Sequence, residues 1–218
     1  KEEVHDLIPE CLELDTLDDK WAFIALAMVN TKQLRPQGFP KFLGNNFFLI
    51  GYRVFVRYTD SRGKRLRGLY ILKSETNKSK MSFFGNIFTH YNYTTTDIEY
   101  LQTEEGLNIR SDKSGLDVLI KSGLPDVPLP LNSPFNDWKE ARRFAGPLPF
   151  TFTYNQEKKE VLIIEGVRQN WKPEPIQVLK DGVGFLKDKG FKNIHLANGF
   201  VVSNVPYSWK KGRVEQWK

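Results

Sequence analysis

Along most of this chain apolar residues alternate with polar ones instead of recurring at helical spacing. The alternation is clearest at Tyr52-Arg53-Val54-Phe55-Val56-Arg57-Tyr58, where a period of two predicts a strand with two distinct faces. A polar turn, Thr59 to Lys64, separates it from a second apolar run, Gly68-Leu69-Tyr70-Ile71-Leu72. Residues 47–58 and 67–72 therefore read as a hairpin. Trp21 to Val29 is a short apolar run between turn signals and reads as a buried strand. Alternation returns at 92–101, 107–110 and 115–120, and Gly199 opens a further short strand. Residues 147–154 and 161–167 read as strands joined by the charged turn Asn155 to Glu160. Helical spacing is sparser. It predicts a short helix over His5 to Leu12, which Pro9 ends early or kinks. A helix starts within Pro134 to Phe144. Another spans Ile176 to Lys189, with apolar residues at Ile176, Val178, Leu179, Val183, Phe185 and Leu186. Lys73 to Phe88 fits a loop and a short helix that Ser74 or Thr76 caps. Residues 34–46 and the proline-rich 123–134 read as loops.

No internal repeat, low-complexity tract or break in composition divides the chain. The expectation is one domain over residues 1–218, α+β in class and rich in β-strand, with a few peripheral helices. At 218 residues and 40% hydrophobic, the chain has enough apolar surface for a substantial core, which excludes intrinsic disorder. Its longest apolar stretch, Trp21 to Val29, is far short of the roughly 20 residues of a membrane helix, so no membrane association is expected. The opening Lys1-Glu2-Glu3-Val4-His5 lacks the apolar region of a signal peptide. The single cysteine, Cys11, makes no intramolecular disulfide, excludes a cysteine metal site and reads as a small buried apolar residue. A cytoplasmic location follows as the default.

The net charge of +6 permits acidic partners, but basic and acidic residues are interleaved over most of the chain. The one dense basic patch, Arg62 to Arg67, lies between two strands and reads first as an exposed hairpin loop. No phosphate-binding loop or nucleophile elbow is present. Gly182 and Gly184 lack the third glycine of a dinucleotide fingerprint. His5, His90 and His195 are far apart and form no metal-ligating pair, so neither a metal nor a cofactor is expected. Chemistry-bearing side chains are densest between Tyr52 and Tyr93, beside the hairpin. Arg53, Glu75, His90, Tyr91 and Tyr93 are the candidates to line a pocket there.

Several stretches resemble acetoacetate decarboxylase and its relatives. Leu7 to Leu14 is similar to an early segment of that family. Tyr52 to Tyr58 resembles a strand of a bacterial branch of the superfamily known as a domain of unknown function. Leu69 to Glu75, His90-Tyr91-Asn92-Tyr93, Trp138 to Phe144 and Val161 to Pro173 follow in the branch's order. The resemblance runs from Val4 to about Pro175. It implies a curved, largely antiparallel, barrel-like sheet with a central pocket. The enzymes of the family form a Schiff base through a lysine whose amine a neighbouring cation keeps neutral. At the matching positions this chain has Tyr91-Asn92-Tyr93, with no lysine. The family's pocket glutamate falls near Leu49, and its arginine-bearing N-terminal strand has no counterpart. Lys73, Lys78 and Lys80 are close in sequence but lie in a polar segment and read as surface residues. Schiff-base decarboxylation is therefore not expected.

What the resemblance leaves is a small anionic or keto-type ligand in a central pocket, with Arg53 holding a carboxylate through its paired donors. Glu75, Tyr91 and Tyr93 would line the cavity. An alternative is lyase or hydratase chemistry on a keto or enol substrate with His90 as the proton carrier. Nucleic acid, through Arg62 to Arg67, ranks last because the patch lacks stacking aromatics. A homo-oligomer stays open.

Overall fold

The structure is a computed structural model that describes residues 1–34, 44–82, 86, 91–146 and 148–217. Its strands are β1 (Glu13–Leu14), β2 (Ile24–Leu34), β3 (Asn45–Thr59), β4 (Arg65–Thr76), β5 (Tyr93–Thr95), β6 (Glu99–Gln102), β7 (Leu107–Ser111), β8 (Leu116–Lys121), β9 (Phe150–Asn155), β10 (Glu160–Arg168), β11 (Glu174–Pro175), β12 (Gln177–Val183), β13 (Phe200–Val201), β14 (Tyr207–Trp209) and β15 (Arg213–Gln216). Helices occur at Glu2–His5, Trp138–Ala145 and Gly184–Asp188, and residues 79–82 are also helical. The fold is β-rich, as the alternation predicts, and its described strands lie in open sheets. The residues gather into two compact units. One holds 1–96, 148–166 and 209–218; the other holds 97–147 and 167–208.

In the first unit β3 and β4 form the predicted hairpin at the centre of one sheet. β1 and β2 pair antiparallel along one edge of β3, and β5 and β9 pair parallel along the free edge of β4. β10 follows β9, and β15 closes on β10. Ile50, Tyr52, Val54 and Val56 are wholly buried; of their partners on β4, Glu75 and Gly68 are buried and Lys73 and Tyr70 half-buried. Covering on both faces explains why β3 is apolar at nearly every position from Phe47 to Tyr58. Asp60 builds the hairpin turn. Its carboxylate accepts from the backbone N–H groups of Arg62 and Lys64 at 3.1 and 2.9 Å, and Gly63 takes the positive φ of 75° that the turn requires. At Gly68 a side chain would run into the Phe150 carbonyl, so the parallel contact of β4 with β9 needs glycine there.

In the second unit β12, β8, β7 and β6 form an antiparallel sheet, and β11 pairs with β13. The helix Trp138–Ala145 begins where predicted. Asp137 caps it by accepting from Glu140 N–H at 2.7 Å, and the Glu140 carboxylate reaches back to Asn136 N–H at 2.8 Å.

Three expectations are corrected. The helix predicted over His5 to Leu12 lies earlier, at Glu2–His5. Pro9 has no N–H for a helical bond, and its carbonyl instead accepts from Leu12 N–H in a turn. Ser74 and Thr76 are not in the N-cap position, because β4 continues through both and helical structure starts at 79, although the Thr76 hydroxyl accepts from Lys78 N–H at 3.4 Å. Ile176 to Lys189 is a strand, β12, with only a short helix after it. The reason is a bulge. Val178 pairs with Ile120 and Lys180 with Leu119, so Leu179 is an extra residue. That insertion interrupts the period of two and leaves apolar positions at near-helical spacing.

Candidate functional site

The register of β3 and β4 decides which of the predicted pocket residues share a face. From Thr59↔Arg65 to Arg53↔Ile71 the pairing is regular. Leu72 is then inserted, and pairing resumes at Tyr52↔Lys73 and Ile50↔Glu75. Without this bulge Glu75 would stand opposite Leu49, on the face that carries Arg53. With it, Glu75 stands opposite Ile50 and projects from the other face.

On one face Arg53 lies back along its own strand. The glycine at 51 makes this course open: a Cβ there would come 2.8 Å from Arg53 Nε. The neighbours across β2 are Ala25 and Ala27, opposite Arg53 and Gly51, and the neighbour of Gly51 on β4 is Ser74. The guanidinium therefore rests on a floor of small residues. Arg53 is half-buried, and its Nε is shielded from water without a hydrogen-bond acceptor among the described residues. The other arginines of the hairpin strands differ. Arg57 pairs with Asp15 at 2.6 Å, Arg67 pairs with the same carboxylate, and Arg65 pairs with Glu13 at 2.5 Å. Three of the four hairpin-strand arginines thus stand in ion pairs, whereas Arg53 stands in none among the described residues. The same pairs take up two cations of the Arg62 to Arg67 patch, which weakens its reading as a nucleic-acid surface.

Tyr93 belongs to this face, since it pairs with Ser74 on β5. Its main chain is clamped by Asn86, which accepts from Tyr93 N–H at 2.5 Å and donates to the Tyr93 carbonyl at 3.0 Å. Tyr91 meets the Tyr93 ring at 6.0 Å between centroids and shares a hydrogen bond of 2.5 Å with Thr151. Both tyrosines are buried in a cluster with Phe47, Leu49, Ile71 and Ile164. They form the apolar wall beside the small-residue floor.

The opposite face holds a different group. Glu75, 3% exposed at its side chain, pairs with Lys73 at 2.7 Å and accepts from the Tyr52 hydroxyl at 3.2 Å. The Lys73 ammonium also lies 5.9 Å from the Tyr52 ring centroid. Burial, and then the Glu75 carboxylate, push the Tyr52 phenol far above its ordinary range, so it remains a donor. Sequence reading took Lys73 for a surface residue. The available signal was its spacing of two from Glu75, which places both side chains on one strand face.

Arg53, Tyr91 and Tyr93 are thus brought to one face, and Glu75 to the other. His90 lies outside the described residues. Among the described residues no group of three or more histidine, cysteine, aspartate or glutamate side chains could hold a metal ion, and no helix is long and apolar enough to cross a membrane.

A crystal structure of acetoacetate decarboxylase from Legionella pneumophila is similar to this chain, with a TM-score of 0.62 and 12% sequence identity over 98% of this chain and 80% of that one. At that identity the likeness is one of fold. No curated protein matches the sequence. Residues 1–203 match the family DUF2071, described as an uncharacterized conserved protein, and the chain belongs to that family.

Proposed function

We propose that this protein binds a small carboxylate-bearing molecule, of anionic or keto type, at Arg53, and that it does so without Schiff-base decarboxylation. The observation that carries the reading is the half-buried Arg53 guanidinium, in no ion pair among the described residues, on a floor of glycine, alanine and serine. A guanidinium shielded from water gains most from a planar anion that accepts two parallel N–H bonds. The small residues beneath it let the Arg53 side chain lie flat along the strand, and Tyr93, paired with Ser74, continues that row. The positions that the sequence resemblance matches to the decarboxylases' lysine run hold Tyr91, Asn92 and Tyr93, and Lys73 is tied to Glu75.

The test is isothermal titration with acetoacetate, pyruvate and 2-oxoglutarate, alongside borohydride treatment read by intact mass. Loss of a charge-assisted bidentate contact is worth about 1.5–3 kcal/mol, or roughly 10- to 150-fold in Kd. Arg53→Gln should weaken binding of the best ligand by that factor and leave the protein mass unchanged after borohydride. A stable adduct on Lys73, or equal binding by Arg53→Gln, would overturn the reading.

A further inference from the structure

Within the second unit the helix Trp138–Ala145 faces the segment 171–175 across a groove. The helix places Trp138, Lys139, Arg142 and Arg143 on one side, at spacings of one, four and five residues, while Ala141 is buried on the other. The opposite wall is stiff. Pro173 and Pro175 have fixed φ, Lys172 is held extended by the proline after it, and Pro175 pairs with Phe200 across β11 and β13. Two adjoining cavities occupy the groove. One, of about 180 Å³, lies between Trp138, Phe200 and the two prolines. The other, of about 730 Å³, lies among Arg142, Arg143, Lys172 and Trp171, and Lys139 and Arg142 border both.

Cations outnumber acids in this groove among the described residues. No ion pair among the described residues involves Lys139, Arg142, Arg143 or Lys172. The helix's own acids are engaged elsewhere, since Glu140 accepts from Asn136 and Asp137 caps the helix, which leaves Glu174, exposed between Pro173 and Pro175, as the one acid of segment 171–175 against the four cations. The helix C-terminus favours cations in its last turn, which accounts for Arg142 and Arg143. It accounts neither for Lys139, in the first turn, nor for Lys172, in another segment. A second observation points the same way. Trp171 Nε1 is buried and has no acceptor among the described residues. The indole is held in place by Arg168, which stacks 5.5 Å from its ring and 5.2 Å from that of Tyr207.

We infer that this groove binds a nucleotide. Its phosphates lie across Arg142, Arg143, Lys139 and Lys172, and its ring enters the smaller cavity against Trp138, Phe200 and the prolines. Four cations on one groove exceed what a single carboxylate neutralises, and arginine forks match phosphate oxygens. Flat aromatic walls suit a nucleobase, and the larger cavity falls in the usual range for small ligands. This site is separate from Arg53 and does not rest on the function proposed there.

The experiment is calorimetric titration with ATP, UTP, tripolyphosphate and a ten-nucleotide single strand, at two salt concentrations. The proteins are the parent, Arg142→Ala/Lys172→Ala and, as a control, Lys158→Ala, which removes an exposed charge from the first unit. The altered groove residues are exposed, and circular dichroism melting checks that the fold is kept. Nucleotide binding in the parent that weakens at least tenfold in the double variant, and is unchanged in Lys158→Ala, supports the assignment. Absence of nucleotide binding, or equal affinity in the double variant, overturns it. Tripolyphosphate binding as tightly as ATP overturns the ring subsite. An oligonucleotide held more than tenfold tighter than either nucleotide overturns it in favour of a strand-binding groove.

Discussion

Asp15 stands fully buried between Arg57 and Arg67, which are direct cross-strand partners on β3 and β4. Two like charges in that arrangement repel unless an anion lies between them. Asp15→Asn keeps the shape and removes the charge. Breaking a buried ion pair by removing one partner costs about 3–5 kcal/mol. Both arginine side chains are 34% exposed, so water relieves part of the penalty. The expected loss is about 2–3 kcal/mol. For a chain of this size that corresponds to a fall in Tm of about 4–12 °C. Urea unfolding followed by tryptophan fluorescence measures it, with the midpoint moving and the slope unchanged. Asp18→Asn, at an exposed turn position with φ of 52°, is the control and should stay within about 0.5 kcal/mol of the parent. The triple change Asp15→Leu, Arg57→Met and Arg67→Met should recover most of the loss, because apolar residues of similar volume remove both the charge and its burial cost. If Asp15→Asn unfolds within about 0.5 kcal/mol of the parent, the network does not hold β1 to the hairpin and the reasoning fails. The outcome also bears on nucleic-acid binding, because an Arg67→Ala protein that lost such binding would have lost a structural ion pair first.

Three other outcomes are expected. Gly51→Ala should push the Arg53 side chain off its floor and weaken carboxylate binding about tenfold with little change in melting, as calorimetry would show. Burial pushes the Cys11 thiol up to about 11; its alkylation at pH 8, followed by mass spectrometry, should run roughly 100-fold slower than that of a small thiol with an ordinary value, and an equal rate would contradict the burial. The backbone N–H of Lys64 is the main cause holding the Asp60 carboxyl below its ordinary range, with Arg62 N–H and Arg213 adding to it. Its folded value is depressed, so its contribution is present above the unfolded value near about pH 4 and fades as pH falls through the folded one. Asp60→Asn should therefore flatten the loss of stability on acidification below about pH 4, and an acid limb as steep as the parent's would refute this.

The central hairpin could be read directly from residues 47–72, because strands with strong alternation and a polar turn have few other ways to fold. What could not be read was register. The insertion of Leu72 leaves no mark in composition, yet it alone moves Glu75 away from Arg53. The same blindness turned β12 into a helix, since the extra Leu179 disguises a strand's spacing. Arg53 was legible as an arginine on an apolar strand. Its lack of an acid among the described residues was not, because Asp15 is 38 positions away and is claimed by Arg57 and Arg67 only once β1 is docked. The groove beside Trp138 went unread for a similar reason: its two walls are separate segments, each with an ordinary amphipathic or proline-rich pattern.

β15 reaches back to both the hairpin turn and the middle of the sheet. Tyr58 donates to Glu215 at 3.1 Å, Arg213 pairs with Asp60 at 3.0 Å, and Glu160 to Ile163 pair with Arg213 to Gln216. During synthesis the hairpin emerges first, and more than 150 further residues are added before these partners exist. Until β15 docks, the β10 edge that it covers stays open, a template for pairing with other chains. The strand that shields the sheet is thus also the one whose late arrival leaves it exposed.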